Sequence, residues 1–123
     1  MLDRWRHTTL RDGARDRGTV VDASQTRLLA QGVYSDVYEY RRTIRVTFPG
    51  GSVGEVEERV SLHSVQRLAD RRTIDCWPEL GERTKIGAIV PIRYDESDHS
   101  HIVLDLPELI EEILGDLDRS AGA

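Results

Sequence analysis

The chain has 123 residues, 38% hydrophobic and 32% charged, a composition that fits one small domain with a single core and short extensions. A net charge of −5 and a lone cysteine argue against a general nucleic-acid binder, a disulfide scaffold and a thiolate metal cage. No run approaches the roughly 20 apolar residues of a membrane span and no secretory leader pattern stands at the N-terminus, so a cytoplasmic protein is expected.

The charge is uneven along the chain. Residues 1–17 carry a net +2, residues 18–94 a net +1 and residues 95–119 a net −8. Residues 1–17 read as an N-terminal extension, in which Leu2, Trp5, Thr9 or Leu10, and Ala14 lie near one helical stripe over 2–16, while Gly13 works against it. Gly18 then opens a strand through Thr19, Val20, Val21, Asp22 and Ala23, extending toward Leu28 and Leu29.

The clearest period-two pattern runs over 34–48. One face carries Tyr34, Tyr38, Tyr40, Ile44, Val46 and Phe48, and the other carries Ser35, Glu39, Arg41, Thr43, Arg45 and Thr47. This is a half-buried antiparallel strand, long enough to bend around a barrel. Pro49, Gly50 and Gly51 form a turn, and the return strand over 55–62 points Val56, Val60 and Leu62 inward. Residues 64–72 suit either a helix or more strand, residues 73–77 a short strand, and residues 78–82 a loop.

Ile86, Ala88, Val90, Ile92 and Tyr94 line one face of the next strand, where Pro91 lacks a donor and argues for an edge or a bulge. A turn over 95–98 leads to a last strand over 102–106. Pro107 suits the first helical position, and Leu109, Ile110, Ile113, Leu114 and Leu117 form the stripe of an amphipathic helix over 107–118, within a segment 106–119. Residues 120–123 read as a disordered tail. The fold class is mainly β: a small antiparallel β-barrel over 18–105, OB-like or SH3-like, of five or six strands, with a C-terminal helix and a weaker N-terminal one. Tyr40, Ile44, Val46, Val60, Val90 and Ile92 are its expected core.

Gly87, Val90, Pro91, Arg93, Tyr94 and Asp95, followed by Ile102, Val103, Leu104 and Asp105, form a closing box. With Gly18-Thr19-Val20, the long strand over 40–48 and the Pro49-Gly50-Gly51 turn, it resembles a small β domain of unknown function found in many actinobacterial proteins, often attached to membrane helices. The resemblance covers about residues 18–105. That family has proline where this chain has Glu96, and its membrane helices have no counterpart in these residues. The resemblance implies no catalytic residues, since none is established for the family.

Asp95, Asp98, His99 and His101 form the densest set of metal-ligand types, and on a strand His99 and His101 would face one side. A site would need a third or fourth ligand from a neighbouring element, such as His63 or Asp95. A solvated hairpin turn is the simpler reading, so no metal and no cofactor is expected. Cys76 beside Trp77 reads as a packed thiol rather than a nucleophile. Tyr34, Tyr38 and Tyr40 beside Arg41, Arg42 and Arg45 invite a stacking platform for single-stranded nucleic acid. The alternation, however, puts Arg41 and Arg45 opposite the tyrosines. No phosphate loop, nucleophile elbow or His-Glu-x-x-His helix occurs.

A non-enzymatic binding or scaffold module acting through protein contacts is therefore expected, with a protein partner or self-association. Leu109, Ile110, Ile113, Leu114 and Leu117 are the candidate contact residues, against the chain's own barrel or a second subunit. An OB-like single-stranded nucleic-acid binder is the alternative.

Overall fold

The computed structural model describes residues 4–31, 36–61 and 79–121, with side chains placed over 4–24, 40–60 and 79–120. Alternation organises one of its hairpins. Strand β2 (Asp36–Thr47) pairs antiparallel with β3 (Val53–Ser61) in a register that sets Tyr40 opposite Val60 and Ile44 opposite Val56. Arg42, Ile44, Val46 and Phe48 are buried, while Arg45 and Thr47 are exposed. The turn works because Gly50 (φ 100) and Gly51 (φ 96) occupy the left-handed region that side chains disfavour. The Phe48 and Gly51 amides donate to the Ser52 and Phe48 carbonyls at 2.8 and 2.9 Å.

The 18-residue strand β1 (Ala14–Gln31) joins the two halves of the sheet. Its first part pairs with β4 (Ile89–Asp95), from Ala14 opposite Tyr94 to Thr19 opposite Ile89, and from Thr19 onward it pairs with β2. Register shifts after Val20, Gln25 and Leu28 give β1 the irregular twist a barrel needs. Strand β5 (Asp98–Leu104) pairs with β4, and the sheet order is β3-β2-β1-β4-β5. β3 packs back against β5, so five antiparallel strands make a nearly closed barrel.

Gly18 marks a close crossing. A Cβ there would lie 2.5 Å from Ile44 Cγ2 and 3.3 Å from the Arg45 carbonyl oxygen. Gly18→Ala is therefore expected to cost about 1–3 kcal/mol in urea unfolding, because the core cannot retreat from both. Gly81→Ala, with nothing within 4 Å, should stabilise by up to about 1 kcal/mol.

Val20, Ile44, Val46, Val60, Val90, Ile92 and Ile102 are each at most 5% exposed and form the core. Of the six expected core residues only Tyr40 is half-buried rather than enclosed. Helix α1 (Arg4–Asp12) lies against β4 and β5, with Thr9 buried and the Gly13 amide closing its last turn onto the Thr9 carbonyl. Helix α2 (Leu106–Ala121) buries Leu109, Ile110 and Ile113 in the barrel core, with Leu114 and Leu117 packed beside them. Arg17 to Glu112 at 2.7 Å and Arg83 to Asp116 at 2.5 Å pin it laterally. Arg83 and Arg119 hold the Asp116 carboxyl below its ordinary range.

Several boundaries differ from the sequence reading. The N-terminal helix stops at Asp12 and the barrel begins at Ala14, not at residue 18, because Gly13 ends the helix and the chain pairs at once with β4. Residues 79–83 are helical rather than looped, with Leu80 buried in the core. Ile86 is 62% exposed instead of inward, since the chain turns at Gly87 (φ 91) before β4 starts. β4 lies between β1 and β5 and is no edge. Pro91 is tolerated because the β5 ladder runs only as far as Ile92 opposite Leu104, and the Pro91 carbonyl instead accepts from Asp105 N at 2.9 Å. Ser120 and Ala121 belong to α2. The readings at Leu2, Tyr34, Leu62, His63, Cys76, Trp77 and Pro78, over 64–72, of a strand over 73–77 and at 122–123, and that of the Tyr38 side chain, fall outside the described residues.

Candidate functional site

The acidic and histidine-rich segment forms the tip of the β4–β5 hairpin. Asp95 accepts from the Ser97 amide and hydroxyl at 2.9 and 2.7 Å, and Asp98 accepts likewise from Ser100 at 3.1 and 2.6 Å. The serine hydroxyls hold both carboxyls below the usual carboxylate range. These are self-capping turns, which is why Asp and Ser recur here.

The two histidines find different neighbours. The register shift after Tyr94 breaks the two-residue alternation. His99 stacks on Phe48 at 4.1 Å with Tyr94 edge-on at 5.3 Å, while His101 stacks on Trp5 of α1 at 4.2 Å. His101 also lies 3.9 Å from Asp95 and 3.4 Å from Asp98. The imidazole thus seats α1 on the hairpin. Among the described residues no group of three or more His, Cys, Asp or Glu is placed to hold a metal.

Two buried ionic arrangements were not anticipated from the sequence. Arg93 of the closing box donates to Asp105 at 3.0 Å and to the Gly13 carbonyl at 3.2 Å, and Asp105 caps α2 by accepting from the Glu108 amide at 3.2 Å. On the inward face of β3, Glu58 pairs with Arg6 of α1, and burial pushes its carboxyl above the ordinary glutamate range, with Arg6 acting against the shift. A carboxyl raised on folding contributes stability that is complete below its unfolded pKa and is lost as pH rises through its folded one. Wild type should therefore gain stability over Glu58→Gln on acidification from neutrality into the glutamate range. Urea midpoints across that window check the sign, and a relative loss in acid would overturn it.

A concave feature sits where β1, β2 and the turn before β4 meet. An open cleft of about 510 Å³ is lined by Ala23, Ser24, Tyr40, Arg42, Lys85 and Ile86. Arg42 shares the inward parity of Tyr40 and Ile44 and is only 6% exposed. Its Nε donates to Thr84 Oγ1 at 3.0 Å, while that hydroxyl itself donates to the Leu80 carbonyl at 2.6 Å. Its Nη1 donates to the Ser24 and Arg41 carbonyls at 3.3 and 3.0 Å, and its Cζ lies 5.1 Å from the Tyr40 ring centroid. Burial pulls the guanidinium below its ordinary value, with Tyr40 acting the other way. Ile86 and, three residues on, Ile89 project into solvent at 62% and 67% exposure.

The outward arginines of β2 are engaged differently. Arg41 lies 3.1 Å from Glu57 and Arg45 lies 2.8 Å from Glu55. The helix stripe proposed for contacts faces inward, so Leu109, Ile110 and Ile113 serve the chain's own core. No helix among the described residues is long and apolar enough to cross a membrane. No family model, curated protein or solved structure matches the chain.

Proposed function

We propose that this chain is a non-enzymatic binding module that docks a protein partner at the Arg42 cleft. The observation that carries this is solvent-exposed Ile86 lining a cleft walled by Tyr40 and Arg42, with Ile89, also exposed, three residues further along the chain. Tyrosine and arginine are enriched at interface centres, and a large aliphatic side chain in water supplies apolar area that a partner can cover. The reading keeps the expectation, drawn from the resemblance of the closing box, of a β domain with no catalytic residues of its own.

A photo-cross-linking amino acid in place of Ile86 is expected to form a discrete adduct in native lysate. The same group in place of the exposed Thr47, on the far face of β2, should give none. Adducts equally strong from both positions would count against the cleft as the docking face.

The alternative, an OB-like single-stranded nucleic-acid binder, draws support from the topology. β1 is shared between β2 and β4, and β3 closes on β5, as in a five-stranded partly open barrel. Against it, Arg41 and Arg45 are neutralised by Glu57 and Glu55, so a phosphate backbone would have to displace carboxylates. Oligonucleotide binding with a steep dependence on salt would favour this alternative.

A further inference from the structure

We propose that the Arg42 cleft is a carboxylate site, which takes one acidic side chain or a C-terminal carboxylate of a protein partner and lays the adjoining apolar side chain on Ile86. The inference rests on the protein-binding reading above and gives that partner its chemistry.

The argument starts from charge balance. Arg42 is enclosed to 6% exposure, yet its acceptors are a hydroxyl and two carbonyls, all neutral. Among the described residues no carboxylate lies within ion-pair distance of it. The other buried charges are compensated: Asp105 has Arg93, and Glu58 has Arg6. Holding a cation out of water without a counter-ion is unfavourable, and an anion brought from outside recovers that energy.

Geometry says from which side the anion comes. Nε and Nη1 are occupied by donors' bonds into the protein, which locks the guanidinium plane. Nη2 makes no hydrogen bond to a described residue, and Arg42 lines the open cleft. Lys85 stands at the rim, 3.4 Å from Glu82, with both side chains about two-thirds exposed or more. Such a pair is weak and exchanges readily for an incoming carboxylate. Tyr40 and Ile86 supply the apolar walls beside the charge.

One fixed guanidinium with one flexible ammonium suits a single planar carboxylate. A phosphodiester chain needs a row of cations, and the neighbouring row on β2 is already bound to glutamates, while α2 presents Glu111 and Asp118 to solvent.

The test is an NMR titration of the full chain, following the Arg42 Nε–H and the amides of Ser24, Thr84, Lys85 and Ile86. The probes are acetyl-Leu-Glu-amide, acetyl-Ala-Leu with a free C-terminus, acetyl-Leu-Gln-amide and inorganic phosphate. At least one of the two carboxylate probes should saturate with shifts at these positions, and the tighter of them identifies the source of the carboxylate. The glutamine probe should bind at least roughly tenfold more weakly. Arg42→Gln should abolish the shifts, and Lys85→Glu, an exposed change, should weaken binding roughly fivefold. Should Arg42→Gln lose the dispersed spectrum of the folded chain, Lys85→Glu carries the test.

Equal shifts with the glutamine probe, saturation by phosphate alone, or full affinity in Lys85→Glu would overturn the proposal. Cross-linking at position 86 without carboxylate binding would sink this site and leave the protein-binding reading standing. Carboxylate binding with no position-specific adduct would do the reverse.

Discussion

Val90→Asp is expected to abolish the folded state, whereas the same change one residue earlier, Ile89→Asp, should cost at most about 1 kcal/mol. The two positions are chain neighbours on β4 but differ completely in environment. Val90 is 0% exposed and sits opposite Gly18, while Ile89 is 67% exposed. Losing the valine side chain removes about 1.5–3 kcal/mol of apolar burial. A carboxylate left there without a partner adds several kcal/mol more, so the total reaches the roughly 5–15 kcal/mol that stabilises a typical domain. The introduced carboxyl would be neutral only in acid, so any recovery of structure should come on lowering the pH. A cooperative thermal transition at neutral pH in Val90→Asp, with a midpoint near that of wild type, would show that β4 does not present this face to the core.

The contrast between these neighbours also shows what the sequence made legible. Strict alternation identified β2, β3 and the inward set of β4, because a half-buried strand has one permissible parity. Helix α2 was equally legible, since its stripe needs a surface to cover and the barrel provides one. The two faces read from the sequence left out Arg42 and Glu58. Arg42 has the parity of Tyr40, Ile44 and Val46, Glu58 lies between Val56 and Val60, and both are buried. Parity alone would have placed them inside. What parity could not supply was the partner: Thr84 lies 42 residues from Arg42, and Arg6 lies 52 from Glu58.

Other departures have local causes. The alternation was carried back to Ile86 across Gly87, whose positive φ ends the strand geometry. His99 and His101 were paired by counting through a hairpin whose register shifts at that point. Pro78 and Gly81 suggested a loop over 78–82, but Leu80 has a place in the core and Thr84 closes the turn over its carbonyl. In this last case a tertiary contact outweighed a local preference worth at most about 1 kcal/mol.

The second large effect is expected at the junction of Arg93 and Asp105. This pair ties together five parts of the fold. Arg93 comes from β4, reaches the carbonyls of Gly13 and Arg11 at the end of α1 at 3.2 and 3.5 Å, and holds Asp105 at the end of β5. Asp105 in turn caps α2 through the Glu108 amide, and the same stretch of β4 pairs with the start of β1. The side chains are 16% and 6% exposed, so neither charge has much recourse to water when its partner is removed. Arg93→Ala should therefore cost about 3–5 kcal/mol, mostly from stranding the carboxylate. Asp105→Ala should cost a similar amount plus about 1 kcal/mol for the lost cap. Asp105→Asn keeps an acceptor for the Glu108 amide and should retain that last contribution. The decisive quantity is the double variant, Arg93→Ala with Asp105→Ala, which removes both charges. It should be less destabilised than the sum of the single changes by about 2 kcal/mol or more, a coupling readable from urea unfolding of the four proteins. Strictly additive losses would mean that the two groups act independently, with Asp105 serving only as a helix cap and Arg93 only as a clamp on the end of α1.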